Sequence, residues 1–328
     1  MKKTACLTAL FTMVTACGIT ACNKNTDVTV YVPDGAPALA VARLLSEDTA
    51  EDGVTYRVVN PQTITAYVGY KKESKNADVC ILPFTTATQL LGTDGRYQAL
   101  GIVTHGNLYI VSKDTTPITD VSALSGETLG VLQLQSAPGQ VMKSILYKNG
   151  VTDVTLTGIS GGGDVGALNG VNYYLLAEPA VTAQQSKGFH IVGNVQTLYG
   201  GENGFPQAVL VAKSSLIEDN QAFVQTFVDG VKNSASWLTT ATGTEIVSAI
   251  SSHTFGGNAS CGGKKSYETT LKAPLLKTDT LARCGVYFTQ SKDCKLEMQT
   301  FLQDVMQVDN NVTKIPNEQF YCMTDFNG

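Results

Sequence analysis

The sequence has few arginines and no cluster of positive charge. Its 328 residues hold 23 Lys plus Arg against 28 Asp plus Glu, and the arginines are Arg43, Arg57, Arg96 and Arg283. No basic stripe is present to neutralise phosphates, which excludes a nucleic-acid-binding protein. Beyond the N-terminal segment, no apolar run reaches the roughly 18 to 20 residues that cross a bilayer. This absence excludes a chain that crosses the membrane repeatedly.

The sequence also lacks the usual combinations of catalytic groups. It has three histidines and no C-x-x-C pair. A serine or cysteine hydrolase needs a nucleophile beside an imidazole, and a zinc site needs closely spaced Cys or His ligands. We therefore expect no catalytic residue, no metal and no cofactor, and we predict that the protein is not an enzyme.

One glycine-rich motif points to a dinucleotide site, and its context argues against that reading. Residues 161–166 match G-x-G-x-x-G and follow a predicted strand. The helix predicted after them, residues 163–168, is too short for a dinucleotide-binding unit. Glu178, which could otherwise be the acid that binds the ribose, stands directly before Pro179. We therefore interpret the glycines as a flexible turn.

The N-terminus resembles a lipoprotein leader. Lys2 and Lys3 precede an apolar segment that ends in Ile-Thr-Ala-Cys at residues 19–22. This ending resembles the bacterial lipobox, whose cysteine accepts a lipid, and a second match ends at Cys17. The polar tether after Cys22 favours that residue. We predict a signal peptide over residues 1–21, a lipid on Cys22, and a protein held on the extracytoplasmic face of the cell membrane.

The remaining cysteines fall into two groups. Cys80 lies in an apolar strand, where we expect a buried, unreactive thiol. Cys261, Cys284, Cys294 and Cys322 lie near the C-terminus. An exported chain permits one or two disulfides among these four residues, and the sequence does not choose between the three pairings.

Predicted strands alternate with helices along the whole mature chain, which is typical of an α/β protein with mostly parallel sheets. Helices are predicted at residues 38–46 and 64–71, among others. The chain is predicted to cross between two lobes near residues 109–114 and 206–212. We therefore expect a first lobe of residues 22–110 and 208–328, and a second lobe of residues 111–207.

Small and polar residues occupy the loops where predicted strands end. Ligands of α/β proteins bind at such ends, where the first turns of helices supply free N–H groups. A histidine and aromatic residues lie nearby in the sequence. The predicted ligand-binding residues are Asp34, Gly35, Ala36, Phe84, Thr85, Thr86, His105, Asn107, Tyr109, Ser136, Ala137, Glu178 and Phe205.

Six stretches carry a resemblance to a known family. They are residues 32–40, 106–109, 130–139, 177–182, 271–285 and 315–321. In this order they resemble the solute-binding proteins of ABC importers, in the group of sulfonate, nitrate and taurine receptors and thiamine-precursor-binding proteins. Gly285 stands where a lipoprotein branch of that group usually has asparagine. The resemblance implies the two-lobed type II periplasmic-binding-protein fold, each lobe a mixed, mostly parallel sheet flanked by helices.

The resemblance implies a monomer that captures a small molecule between its lobes and delivers it to an ABC permease. An enzyme of thiamine-precursor synthesis on the same fold, or a ligand-sensing receptor, is the alternative. No arginine lies in a predicted cleft loop, whereas Asp34 and Glu178 do, and aromatic faces stack on rings. We therefore expect a neutral or cationic, ring-containing ligand such as an aminopyrimidine related to thiamine.

Overall fold

The computed structural model describes residues 27–48, 53–69, 76–200, 204–256 and 268–327. These ranges contain eleven strands: β1 (Val28–Pro33), β2 (Val54–Val59), β3 (Val79–Pro83), β4 (Tyr97–His105), β5 (Leu108–Ser112), β6 (Thr128–Leu132), β7 (Thr155–Ile159), β8 (Tyr173–Ala177), β9 (His190–Asn194), β10 (Pro206–Lys213) and β11 (Val286–Gln290).

The same ranges contain eleven α-helices: α1 (Ala36–Leu39), α2 (Ala42–Ser46), α3 (Phe84–Leu91), α4 (Ala137–Lys148), α5 (Ala180–Gln185), α6 (Val195–Tyr199), α7 (Ser214–Asp219), α8 (Gln221–Trp237), α9 (Gly243–Ser251), α10 (Thr278–Arg283) and α11 (Ser291–Met306). Short 3-10 helices lie at Pro61–Tyr67, Val121–Leu124, Ala273–Leu275 and Glu318–Phe320.

The first sheet has six strands in the order β11-β4-β10-β3-β1-β2. β2 and β3 run parallel to β1 on its two sides. β10 lies antiparallel between β3 and β4, and β11 pairs antiparallel with β4. β4 therefore points the same way as β1, β2 and β3, and the carboxyl ends of these four strands share one edge.

The second sheet has five strands in the order β7-β6-β8-β5-β9. β6 runs parallel to β7 and β8, and β5 runs antiparallel to β8 and β9. Leu108 at the start of β5 pairs with Ala177 at the end of β8. The amino end of β5 thus lies beside the carboxyl ends of β6, β7 and β8. Two mixed sheets flanked by helices confirm the predicted fold class.

A two-residue link joins the sheets. Only Gly106 and Asn107 separate β4 from β5, so the carboxyl edge of the first sheet faces the corresponding edge of the second. Gly106 has φ +64, and a Cβ there would lie 2.4 Å from Cγ of Gln196, so the position requires glycine. Its N–H donates to the carbonyl of Phe205 at 2.9 Å, which ties the link to the segment that returns the chain to β10.

The chain changes sheets at two places. β5 pairs with the second sheet from Leu108 onward, and β10 pairs with the first sheet from Pro206 onward. The first change lies just before the range 109–114, and the second lies at the start of the range 206–212. We call the elements on each sheet the first and second lobes. The assignment of every residue to a lobe stays a prediction.

The strand β1 shows how the first sheet buries both faces. Val30 and Val32 point into a core formed with α8 and α9. Tyr31, between them in the sequence, points into a second core on the other face. This alternation follows from the two-residue period of a strand. The second core continues into the second sheet through Leu129 and Val131, so the lobes share apolar contacts.

The helix predicted at residues 38–46 is divided into α1 and α2. The N–H groups of Ala40 and Val41 bond to carbonyls three residues back, at Pro37 and Ala38. This tighter 3-10 spacing interrupts the α-helical register between the two helices.

Two further predicted helices are not α-helical. Of the range 64–71, the structure describes residues 64–69, and these contribute only to the 3-10 helix Pro61–Tyr67, which Asn60 caps by accepting the N–H of Gln62. Residues 163–168 form turns instead of a helix. Gly166 has φ +80, and glycine is a poor helix former because it loses more backbone freedom than other residues on folding.

Candidate functional site

Five segments meet at the gap between the facing edges of the two sheets. They follow β1, β3, β6, β7 and β8 and begin at Asp34, Phe84, Gln133, Ser160 and Glu178. The segment after β3 is the first turn of α3, and the other four are turns. Ligands of α/β proteins bind outside the carboxyl ends of strands. The structure therefore brings the predicted loops after β1, β3, β6 and β8 to one place, and the turn after β7 adds a fifth.

Most of the predicted binding residues are buried in this arrangement. Nine of the thirteen have a relative exposure of 7% or less. The four with accessible surface are Gly35, Thr86, Ser136 and Ala137. Gly35 has φ +100, and a Cβ there would meet no described atom within 4 Å. Open space therefore adjoins the turn after β1.

Asp34 holds the turn after β1 in place. Its Oδ1 accepts the N–H of Gly35 at 2.9 Å and the hydroxyl of Thr269 at 2.6 Å. Its Oδ2 accepts the N–H and the hydroxyl of Thr270 at 2.7 and 2.8 Å. Four donors from the protein occupy both carboxylate oxygens. These bonds give Asp34 a structural role, and its direct contact with a ligand stays a prediction.

Phe84 and Phe205 lie in an aromatic cluster. Phe205 stacks on Phe301 of α11 with ring centroids 5.8 Å apart, and Phe84 lies 6.1 Å from the same ring. Tyr199 adds edge contacts to Phe205 and Phe301. Phe84 and Phe205 are no more than 1% exposed. Tyr199 belongs to α6 of the second lobe, so its contacts with Phe205 and Phe301 join the lobes at this cluster, whereas Phe84 contacts Phe301 of α11.

Thr85 and Gln140 connect the first turns of two helices from different lobes. The Thr85 hydroxyl in α3 donates to Oε1 of Gln140 in α4 at 2.9 Å. Nε2 of Gln140 donates to Oδ2 of Asp309 at 2.7 Å. The amino ends of α3 and α4 therefore meet at the gap, next to the accessible residues Thr86 and Ser136.

His105 ends β4 and contacts β11. Its ring stacks on Tyr287 with centroids 3.9 Å apart, and its Nε2 lies 3.2 Å from the hydroxyl of Thr289. Burial lowers the pKa of His105 to about 4, because the low-dielectric interior disfavours the imidazolium ion. The ring is neutral at pH 7 and packs within the first lobe.

Asn107 and Tyr109 fix the link between the sheets. The carbonyl of Asn107 accepts the N–H of Glu178 at 3.1 Å. The Tyr109 hydroxyl donates to the carbonyl of Arg283 at 3.2 Å. Burial, assisted by the negative charge of Glu178, raises the pKa of Tyr109 to about 12. The side-chain Oδ1 of Asn107 is buried and has no partner among the described atoms.

Glu178 is paired with an arginine. Nε of Arg283 donates to its Oε1 at 2.6 Å, and the Glu178 side chain is 0% exposed. The N–H of Thr182 donates to Oε2 at 3.1 Å. Arg283 lies outside the predicted cleft loops in the sequence, and the fold brings its side chain to Glu178 in one of those loops. The sequence separates the two residues by 105 positions, and no pattern linked them.

The described cysteines are free and buried: Cys80, Cys284, Cys294 and Cys322. No disulfide therefore joins Cys284, Cys294 and Cys322 to one another, and Cys261 lies outside the described residues. Burial raises the pKa of Cys284 and of Cys294 to about 12, and raises that of Cys80 as well. These thiols pack as apolar groups, as expected for Cys80 from the sequence.

No group of three or more His, Cys, Asp or Glu side chains in the described ranges is arranged to hold a metal ion. No helix in the same part of the chain has the length and apolarity needed to span a membrane.

Sequence reasoning missed three residues at the gap. Arg283 and Thr182 surround Glu178, and Gln140 bridges to Thr85. Thr182 lies four residues after Glu178, in a stretch that resembles the family. Residues four apart on a helix are neighbours, so this spacing could have indicated the contact between them. Gln140 likewise lies in the first turn of a predicted helix. Arg283 had no local signal, because α10 was not predicted.

No protein-family model matches the chain, and no curated protein matches its sequence. Solved structures do match. An ABC transporter protein from Parabacteroides distasonis is 20% identical, with 90% of this chain and 99% of that chain covered and a TM-score of 0.69. The periplasmic aliphatic sulphonate-binding protein SsuA of Escherichia coli is 16% identical, with 85% of each chain covered and a TM-score of 0.59.

A third similar structure contains a bound molecule. The alkanesulfonate-binding protein SsuA of Xanthomonas axonopodis pv. citri, bound to MOPS, is 16% identical, with 88% of this chain and 95% of that chain covered and a TM-score of 0.59. Together with the two mixed sheets and their facing edges, these similarities establish the fold class. The chain has the type II periplasmic-binding-protein fold.

Proposed function

We propose that this protein is an extracytoplasmic solute-binding protein that captures a small molecule between its lobes and delivers it to an ABC permease. The main support for the proposal is that the first turns of α3 and α4 lie together at the gap, where the Thr85 hydroxyl donates to Gln140 at 2.9 Å. The two helices belong to different lobes, and the free N–H groups of their first turns both lie at the gap. The names of the similar structures support the same role.

The groups at the gap favour a ligand that both accepts and donates hydrogen bonds. The first turns of α3 and α4 and the hydroxyls of Thr86 and Ser136 supply donors. The unpartnered Oδ1 of Asn107 supplies an acceptor. The carboxylates of Asp34 and Glu178 do not favour a cationic ligand, because their oxygens already accept hydrogen bonds from protein donors. An aminopyrimidine related to thiamine offers ring nitrogens and an amino group, so it remains the proposed ligand, with a sulfonate as its rival.

The anchor belongs to the same proposal. Cys22 and the leader over residues 1–21 lie outside the described residues. We expect cleavage before Cys22 and a lipid on its sulfur, which would hold a monomeric protein beside its permease. Cells that express Cys22→Ala should no longer incorporate labelled fatty acid into the protein, and persistent label would assign the lipid to Cys17.

A serine and a histidine lie in contact at the end of α9, as they do in many hydrolases. This contact does not support the alternative that the protein is an enzyme. Oγ of Ser252 lies 3.0 Å from Nδ1 of His253, and Nε2 of that ring lies 2.9 Å from Asp48. The carbonyl of Ala249, however, lies 2.7 Å from Nδ1. A carbonyl accepts only, so Nδ1 carries its proton and cannot take one from the serine. The contact closes the end of the helix.

A thermal-shift screen tests the proposed function. A ligand that binds only the folded protein raises the melting temperature with concentration. The screen compares aminopyrimidines with taurine, alkanesulfonates and nitrate, each titrated to millimolar concentration. We expect an aminopyrimidine to raise the melting temperature. Stabilisation by sulfonates alone would overturn the proposed ligand, and stabilisation by no compound would contradict solute binding.

A further inference from the structure

A network of polar side chains joins the two lobes beside the Gly106–Asn107 link. On the first lobe it involves α10, whose Leu281 packs in the core of that lobe. On the second lobe it involves α5, whose Val181 packs in a core of the second sheet. The two helices are thus built into different lobes, and any contact between their side chains restrains movement of one lobe against the other.

Arg283 is the centre of this network. Its Nε donates to Glu178 at 2.6 Å, and its Nη2 donates to the hydroxyl of Thr182 at 3.0 Å. The same hydroxyl lies 3.0 Å from that of Thr280 in α10. On the backbone side, the Tyr109 hydroxyl donates to the carbonyl of Arg283. One first-lobe residue therefore contacts three separate side chains of the second lobe.

We propose that Arg283 clasps the two lobes together, so that the closed arrangement persists in the absence of ligand. Glu178 is fully buried, and Arg283 is its cationic partner from the other lobe. Separating the lobes would break this ion pair, whereas removing the guanidinium from the closed arrangement would leave the buried Glu178 carboxylate without its cation, which is strongly unfavourable. Loss of the guanidinium therefore favours the open arrangement.

The clasp also determines how much of the ligand's binding energy is needed for closure. When only a fraction of the protein molecules is closed, the apparent affinity for the ligand falls by that fraction. A protein that is already closed avoids this loss. This last step rests on the proposed function. The clasp itself concerns the unliganded protein, so its test is independent of any ligand.

Small-angle X-ray scattering of the unliganded protein tests the clasp. We expect Arg283→Gln to increase the radius of gyration relative to wild type. Arg43→Gln is the matched control, because Arg43 pairs with Glu47 within α2 at 2.9 Å and joins no two lobes. An unchanged radius of gyration in a folded Arg283→Gln protein, judged by its circular dichroism, would overturn the proposal.

A cysteine pair keeps the proposal testable if Arg283→Gln does not fold. Thr182→Cys combined with Thr280→Cys places two thiols where the hydroxyls are 3.0 Å apart, one on each lobe. We expect oxidation of the unliganded double variant to form this disulfide in most molecules, detected by peptide mass mapping. Each single variant is the control. Failure of the disulfide to form without ligand would show that the lobes are apart and would contradict the clasp.

Discussion

Thr85 and Gln140 form a hydrogen bond that joins the two lobes where their helices begin. The bond is buried, and Gln140 also donates to Asp309 in the segment after α11. A change at Thr85 therefore alters the packing between lobes as well as one helix. The contacts of Tyr199 with Phe205 and Phe301 join the same two lobes through aromatic rings.

Thr85→Val should lower the free energy of unfolding by about 1 to 3 kcal/mol. The variant keeps the shape of the side chain and leaves Oε1 of Gln140 without its donor in a buried site, which costs about this amount. Urea unfolding gives the difference. Thr226→Val on the exposed face of α8 is the control and should change stability by less than about 0.5 kcal/mol. Equal effects of the two substitutions would contradict the bond.

Asp34→Asn should destabilise the protein in the absence of any ligand, by about 1 to 3 kcal/mol. An amide has one acceptor oxygen, so it cannot accept all the donors of Gly35, Thr269 and Thr270 that now surround the carboxylate. Denaturant unfolding at pH 7 measures the loss, with the exposed Asp219→Asn as control. A variant that keeps full stability and loses only ligand binding would instead make Asp34 a ligand contact.

The buried imidazole of His105 should make stability fall with acid. Its pKa is lowered to about 4 in the folded protein, against 6.5 for an unperturbed group. Between these values the unfolded chain binds a proton that the folded protein does not, so the free energy of unfolding decreases as pH falls from 6.5 to 4. The decrease amounts to roughly 3 kcal/mol, at 1.36 kcal/mol per unit.

The measurement is urea unfolding of wild type and His105→Gln at several values between pH 7 and pH 4. The difference in stability between the two proteins should shrink steadily below pH 6.5, because glutamine does not titrate. A constant difference across this range would mean that His105 titrates as it does in the unfolded chain.

The described cysteines should react with iodoacetamide only after unfolding. Burial raises the pKa of Cys284 and Cys294 to about 12, and the thiolate is the reactive species. Peptide mapping should find Cys80, Cys284, Cys294 and Cys322 unlabelled in the native protein and labelled in guanidinium without reductant. Labelling that requires a reductant would reveal a disulfide.

The sequence predicted the strands well because most of them are buried on both sides. Val30, Val32 and their neighbours form a short run rich in β-branched residues, and such residues favour a strand over other secondary structures. The turns at strand ends were predictable for the same reason, since Asp34 and Gly35 follow such a run directly. One strand ends at His105 and the next begins at Leu108, so the link between the sheets lies just before the predicted crossing at residues 109–114, and the division into lobes stays a prediction.

The site itself depended on contacts that no local pattern contains. Arg283 reaches Glu178 only because α10 packs beside the link between the sheets, and α10 has six residues with little periodicity. Phe84 and Phe205 resembled ligand-stacking residues in the sequence, whereas α11 covers them both. Residues 163–168 do not form the predicted helix, and Gly166 among them has φ +80, which an α-helix does not accommodate. Tertiary packing decided each of these cases.

Binding calorimetry with a variant that blocks the gap tests whether the ligand binds between the lobes. Ser136 lies at the accessible amino end of α4, so Ser136→Trp should fill the gap without disturbing the core. We expect the compound with the largest thermal shift to bind wild type at one site per chain. We expect Ser136→Trp to bind this compound at least tenfold more weakly, with unchanged stability. Equal affinity of wild type and Ser136→Trp would place the ligand elsewhere and contradict a binding site between the lobes.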